Sequence, residues 1–243
     1  MGVFVLGIPG FLLTFLIGKT MRKAEASRDK QARSASASPL TVLRYKNIWL
    51  TTVIGSLFQT GLFVFSTFVA LYLTKVVGLS LGTVGLIISG WGFGGFIGMI
   101  AVPAMSDRLG RRIVLVVSAA CYGVLMLAFV LCHASPIVMF CNLFAAGICG
   151  FGIAPLFLAV IPCESVPSTL TGSAVGVPTA VSELIGGVLM PVVAGGLADT
   201  FGLGYPMLIV GGVSLVSALV GMFLEETVPT ATSKRSVSNM DAV

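Results

Sequence analysis

Apolar residues fall into seven long runs, 2–18, 49–73, 81–103, 111–132, 136–161, 172–198 and 204–224, separated by shorter polar stretches. A spanning helix needs about 20 mostly apolar residues to cross about 30 Å of hydrocarbon, and all seven approach that length. Because lipid offers the backbone no hydrogen-bond partners, each run is read as a helix that satisfies its own peptide groups. The first run is the shortest and opens at Met1, so it reads as the end of something longer. Residues 19–48 are polar, basic and rich in Ser and Ala, the pattern of a flexible or partly amphipathic linker. Residues 225–243 form a polar tail with no core-forming pattern. The expected architecture is an all-α integral membrane protein: one N-terminal spanning helix (1–18), a linker (19–48), a six-helix bundle (49–224) and a tail (225–243).

Charge orients these helices. Eight of the 14 basic residues lie between Lys19 and Lys46, and short cytoplasmic loops carry the Lys/Arg excess of multi-pass proteins. With that segment inside, counting crossings also places residues 104–111, 162–171 and 227–243 inside. The basic turn at residues 107–112 and the tail with Lys234 and Arg235 agree with this orientation. The outer connections, 74–80, 133–135 and 199–203, hold one Lys, one Asp and the single His.

Composition narrows the class further. The chain is 56% hydrophobic and 9% charged, against roughly 25% charged in soluble domains, so it cannot build a water-soluble surface. Its net charge of +5 is a membrane-topology signal rather than a nucleic-acid footprint. The cysteines, Cys121, Cys132, Cys141, Cys149 and Cys163, sit in or at the ends of apolar runs without C-x-x-C spacing or a His/Asp cluster. They read as small packing residues, with no metal site. His133 reads as a polar loop residue. Residues 1–18 lack a charged leader and a small-residue cleavage site, so they are not read as a secretory signal.

One motif is specific. Pro103-x-x-x-Asp107-Arg108-x-Gly110-Arg111-Arg112 resembles the G-x-x-x-D-R-x-G-R-R loop of major facilitator superfamily transporters, with Pro103 where the family's first glycine usually stands. Pro162-x-Glu164-x-x-Pro167, followed by Gly172 and Gly176, is similar to the family's loop between helices ten and eleven; Leu170 and Thr171 replace the basic residue often found there. The run Ser182–Gly187, with Pro191 and the stretch Gly195 to Asp199, most resembles the organic-anion symporters of that superfamily. The resemblance implies twelve helices in two six-helix halves, this chain matching helix six, the basic central loop and helices seven to twelve. It also implies that the substrate path lies between the halves, each built of two inverted three-helix repeats.

Candidate site residues follow from what lipid makes expensive. Glu183 lies near the middle of its run, where a carboxylate costs about 2.5–3.5 kcal/mol on insertion scales, so it should face a cavity or a partner. It is the candidate for proton coupling or substrate contact; a helix-packing role near Thr179 is the alternative. The run 49–73 carries Thr52, Ser56, Gln59, Thr60, Phe63, Ser66 and Thr67 at helical spacing, a stripe that faces water or protein. Of these, Gln59 and Phe63 are candidate cavity residues, joined by Trp91 and by Asn142 in later runs, all of which could instead simply pack. Gly90, Gly94 and Gly98 repeat at four-residue spacing, which lets helix backbones approach closely. Pro155, Pro178 and Pro191 are candidate bends.

The basic turn admits two readings. In one it is a topology anchor, tight at Gly110, with arginines on lipid headgroups. In the other, which the resemblance implies, it is a cytoplasmic latch of Asp107, Arg108, Gly110, Arg111 and Arg112 with Glu164. There Asp107 meets a neighbouring helix start, and Arg108 or Arg111 pairs with Glu164.

The leading functional expectation is secondary active transport of a small organic solute, an organic anion by the resemblance. Coupling would be to a proton or Na⁺, with alternating access, in a multi-pass protein of the plasma membrane. The partners expected are membrane lipid, the solute, the coupling ion, and an N-terminal half or a second copy. The alternative is a split or truncated membrane protein that assembles with relatives without transporting. An enzyme is disfavoured by the lack of a nucleophile–base pair or metal set. No G-x-x-x-x-G-K-[ST] loop occurs, so no nucleotide or other cofactor is expected.

Overall fold

The computed structural model describes residues 39–131 and 135–227. The expected helix over 2–18, most of the linker and the tail beyond Thr227 lie outside the described residues. Six helices among those described are long and apolar enough to cross a membrane: α1 Lys46–Lys75, α2 Leu81–Leu109, α3 Arg111–Leu131, α4 Pro136–Glu164, α5 Ser168–Phe201 and α6 Gly204–Gly221. A short 3-10 helix, Pro39–Arg44, leads into α1.

Helix ends differ from the hydropathy pattern in an instructive way. α2 runs past Pro103 to Leu109, six residues beyond its apolar run, because charged side chains do not interrupt a helix that has left the hydrocarbon. It stops at Gly110, whose φ of 101° is a conformation that side-chain-bearing residues rarely adopt. α2 is capped by Ser80, whose side chain accepts a hydrogen bond from the Thr83 N–H, relieving one of the orphan donors of a helix start. Pro136 opens α4 at a position where its missing N–H costs nothing.

Two helices are interrupted by π-helical turns. In α4 the turn Leu156–Val160 precedes Pro162, and in α5 the turn Glu183–Leu189 precedes Pro191. A proline inside a helix removes one backbone bond and crowds the carbonyl four residues back. A wider turn accommodates both defects within a continuous span.

The helices pair with an internal symmetry. α2 packs most extensively on α4, α1 on both α5 and α6, and α3 on both α4 and α6. Exchanging α1–α2–α3 with α4–α5–α6 turns the α2–α4 pairing into α5–α1 and α3–α4 into α6–α1, while α3–α6 maps onto itself. With three helices per unit the second unit crosses in the opposite sense, which is an inverted repeat.

The core is aromatic and glycine-spaced. Phe58 lies with its ring centroid 5.2 Å from Tyr122 and 5.5 Å from Phe157. Along the α2–α4 seam, Gly90, Gly94 and Gly98 rest on the backbone carbonyls of Phe140, Phe144 and Ile148, and Gly147 rests on that of Trp91. A methyl group at any of these positions would overlap the opposing backbone, so the seam is closer than side-chain-bearing residues allow. α5 is the contrasting case: 17% of its apolar window is buried, against 50% for α1. Its outward face, with Val188, Val192 and Val193, therefore meets lipid or another protein.

Candidate functional site

Where α1 crosses α5, the contact is made by small residues. A Cβ on Gly186 would stand 2.6 Å from the Gln59 Cβ and from the Thr60 backbone nitrogen, and one on Gly55 would stand 2.5 Å from the Ser182 hydroxyl. Along α1, the hydroxyls of Thr52, Ser56 and Thr60 bond carbonyls of their own helix at 2.7–2.8 Å. Gln59 does not. Its side-chain amide donates to Oε1 of Glu183 across the crossing.

Gln59 is buried and Glu183 half-buried. Glu183 opens the π-helical turn of α5, which sets it beside Gly187 one turn on. A Cβ at Gly187 would lie 3.0 Å from the Phe63 ring and 3.2 Å from Oε2 of Glu183. The missing side chain therefore leaves a gap bounded by an aromatic ring and a carboxylate oxygen. That oxygen accepts no hydrogen bond among the described residues. The chemistry available is an acceptor that can take a proton or a solute's donor, with the other oxygen fixed by an amide.

The structure thus brings Gln59, Phe63 and Glu183 to one place. Trp91 stands apart, buried between α1, α2 and α4, with its ring centroid 4.9 Å from Phe65 and 4.7 Å from Phe151. Asn142 lies on α4 away from the crossing. The Trp91 indole nitrogen and the Asn142 oxygen are buried without a hydrogen-bond partner among the described residues.

A second constellation occupies the basic face, where α2 ends and α3 begins. The Arg111 guanidinium, 12% exposed, meets Oε1 of Glu164 through Nη2 at 2.9 Å and Oε2 through Nε at 3.3 Å. It also pairs with Asp107 and donates to the Ser106 hydroxyl at 2.6 Å. This two-pronged contact is the strong form of an Arg–carboxylate interaction. It joins the α2–α3 turn to the end of α4. Arg108 and Arg112 are exposed on the same turn.

Asp107 turns to Arg111, and the carboxylate at the start of α3 is that of Glu226. Its two oxygens accept from the Arg111 N–H at 2.7 Å and the Arg112 N–H at 3.2 Å. A negative charge is favourable at a helix N-terminus, and Gly110 leaves room for it, since a Cβ there would stand 2.7 Å from the same carboxylate.

Residues 224–227 as a whole tie this face together. Leu224 is buried in the core. Asn47 at the start of α1 accepts from the Glu225 N–H at 3.0 Å, donates to the Glu225 carbonyl at 3.2 Å and reaches the Ser165 hydroxyl at 3.1 Å. Glu225 also pairs with Lys46 at 3.0 Å, and the Thr227 hydroxyl donates to Glu164. Sequence reasoning ends the last apolar run at Leu224 and reads residues 225–243 as a polar tail with no core-forming pattern. The one available signal is two adjacent carboxylates immediately after the last apolar run, on the face that carries the basic turn.

No group of three or more His, Cys, Asp or Glu residues that could hold a metal ion occurs among the described residues. No curated protein matches the chain. A family model described as Major Facilitator Superfamily matches residues 1–184, a span that takes in the basic turn, Gln59, Glu164 and Glu183. With six spanning helices paired as two inverted triplets, the chain belongs to the major facilitator superfamily, whose members move solutes across membranes.

Proposed function

We propose that this chain is the C-terminal half of a secondary active transporter for a small organic solute, with Glu183 as its coupling or solute-contacting group. The observation that carries this reading is the Gln59–Glu183 contact at the α1–α5 crossing. A carboxylate is retained at mid-span only where it does work or finds a partner, and here one oxygen is held while the other borders the Gly187 gap. A reversible proton or ion site needs that asymmetry: a fixed orientation and one open acceptor.

Two further features support the half-transporter reading. The described membrane-length helices number six and form one inverted-repeat pair, and α5 leaves most of its apolar window uncovered. An N-terminal half, or a second copy, seated on that side would enclose the path. Among the described residues no Lys or Arg lies near the level of Glu183, so an organic anion would find its compensating cation in that other half. The Arg111–Glu164 contact then acts as a cytoplasmic latch, broken when the inner side opens during alternating access, in the plasma membrane.

The test is uptake of carboxylates and sugars into liposomes by the chain alone and together with a matching N-terminal half. The expected result is gradient-driven uptake only when both are present. Saturable uptake by the chain alone would replace the half-transporter reading with a self-assembling carrier.

A further inference from the structure

The gap beside Gly187 is bordered by electron-rich groups. Oε2 of Glu183 and the Phe63 ring stand 3.2 Å and 3.0 Å from the position a Cβ would occupy there, so carboxylate and ring meet the same small volume. Gln59 holds Oε1, which leaves Oε2 as the acceptor towards the gap. One turn further along α1, on the same face as Phe63, Ser66 and Thr67 are exposed. Each hydroxyl gives its single proton to the Phe63 carbonyl, at 3.0 Å and 2.8 Å, so towards anything else it only accepts.

The opposite chemistry is missing from these two helices. The basic residues of α1 are Lys46 and Lys75, at its two ends, and α5 has none between Ser168 and Phe201. An anionic group placed against Oε2 would meet like charge. An uncharged donor would use the carboxylate but gain little from the ring. An ammonium group uses both. Its N–H groups make charge-assisted hydrogen bonds to a carboxylate, and its charge is attracted to an aromatic ring within about 6 Å of the centroid.

We propose that Glu183 and Phe63 receive the ammonium group of the solute, which makes the substrate class a small organic ammonium compound. The inference rests on the solute-contacting reading of Glu183 rather than on its proton-coupling one. Oε2 supplies charge and a hydrogen-bond acceptor, Gln59 fixes the plane of the carboxylate, the Phe63 ring adds its attraction for the cation, and Gly187 supplies the room. Where the solute also carries a carboxylate, that end lies away from Oε2.

The test is equilibrium binding of radiolabelled butylammonium to the full chain in phosphatidylcholine nanodiscs, read by scintillation proximity with no transport step. Unlabelled butylammonium should displace the label at least about tenfold better than butanol, butyrate or Na⁺, because it alone joins a charge, N–H donors and an apolar stem. Glu183→Gln should lower the affinity about tenfold or more, Phe63→Leu about fivefold and Gly187→Ala about fivefold through lost space. Gly196→Ala, whose Cβ would meet nothing within 4 Å, should leave it unchanged. If the Glu183 variant fails to incorporate, the Phe63 and Gly187 variants carry the test. Absence of saturable butylammonium binding, equal displacement by butanol, butyrate or Na⁺, or affinity unaltered in any of the three site variants would each overturn the proposal. Uptake with a matching N-terminal half reports separately on the half-transporter reading, since that uptake does not depend on whether butylammonium binds.

Discussion

The Gln59 amide donates to the Glu183 carboxylate across the crossing of α1 and α5, joining residues 124 positions apart in the chain. The contact exists because Gly55, Ser182 and Gly186 let the two helices approach to backbone distance. A bulky residue at Gly186, which rests on Gln59 and the Thr60 backbone, should therefore push the helices apart and disrupt the site. Gly186→Leu is expected to separate the helices and cost about 1–3 kcal/mol, the usual range for overpacking. Thermal unfolding of the detergent-solubilised protein checks the cost. Stability equal to that of the unsubstituted chain would mean that the crossing is looser than described.

The α2–α4 seam offers a matched pair of substitutions. Gly94 abuts the Phe144 carbonyl, whereas Gly92, two residues away, has nothing within 4 Å of its would-be Cβ. Gly94→Ala should destabilise by about 1–3 kcal/mol through backbone overlap. Gly92→Ala should stabilise by roughly 0.5–1 kcal/mol through helix propensity alone. Opposite signs in the same unfolding assay are the expected outcome, and equal effects would count against the close seam.

How much of this was legible depends on the range of the physics involved. The spans follow from local composition, and the six described helices lie where the apolar runs predict them. Their ends do not, as α2 shows by continuing through Asp107 and Arg108 to Gly110. Gln59 and Glu183 each stand out as polar residues inside apolar runs, but their contact depends on a glycine-mediated crossing that hydropathy does not encode. Glu164 and the basic turn are visible as a candidate latch, and the geometry selects Arg111 over Arg108 as the partner. The strap at 224–227 has no periodicity to read. Its role depends on where the end of α6 falls relative to three other helices.

Glu226 gives the strap a measurable consequence. Its carboxylate accepts from the amides of Arg111 and Arg112, and an acidic group at a helix start contributes about 0.3–1 kcal/mol. Glu226→Ala should raise hydrogen exchange at those two amides by up to about fivefold, with little change in the middle of α3. Exchange unchanged at the start of α3 would show that the strap is not seated there in solution.

The Arg111–Glu164 contact should behave as a coupled pair. Arg111 is largely buried and Glu164 about one-third exposed, with side-chain exposures of 12% and 33%. Removing Glu164 leaves a partly desolvated guanidinium with Asp107 and Ser106 as remaining partners. Solvent at Glu164 reduces the cost from that of a fully buried pair to about 1–2 kcal/mol. A double-mutant cycle of Glu164→Gln and Arg111→Ala should return a coupling energy of about 1 kcal/mol or more, since contacting residues are not additive. Additive effects would reduce the pair to a surface contact and count against the proposed latch.

Glu183 carries the sharpest functional prediction. Its Oε1 is held by Gln59 while Oε2 borders the gap between Phe63 and Gly187. If Oε2 takes the coupling proton, replacing the carboxyl by a carboxamide removes the titrating group and keeps its shape and much of its hydrogen bonding. In the assembled transporter, Glu183→Gln should then abolish uphill uptake while solute exchange continues, because exchange requires no net proton movement. Gln59→Leu separates the two parts of the site: it removes the orienting amide but leaves the acid. It should weaken coupled uptake by about tenfold, the effect of losing one charge-assisted hydrogen bond of about 1.5–3 kcal/mol partly offset by relaxation. Loss of exchange as well as uptake in Glu183→Gln would move the residue from proton coupling to solute binding. Uphill uptake with an unaltered pH profile would remove it from the mechanism altogether, leaving the Gln59–Glu183 contact as helix packing and the coupling site elsewhere in the complete transporter.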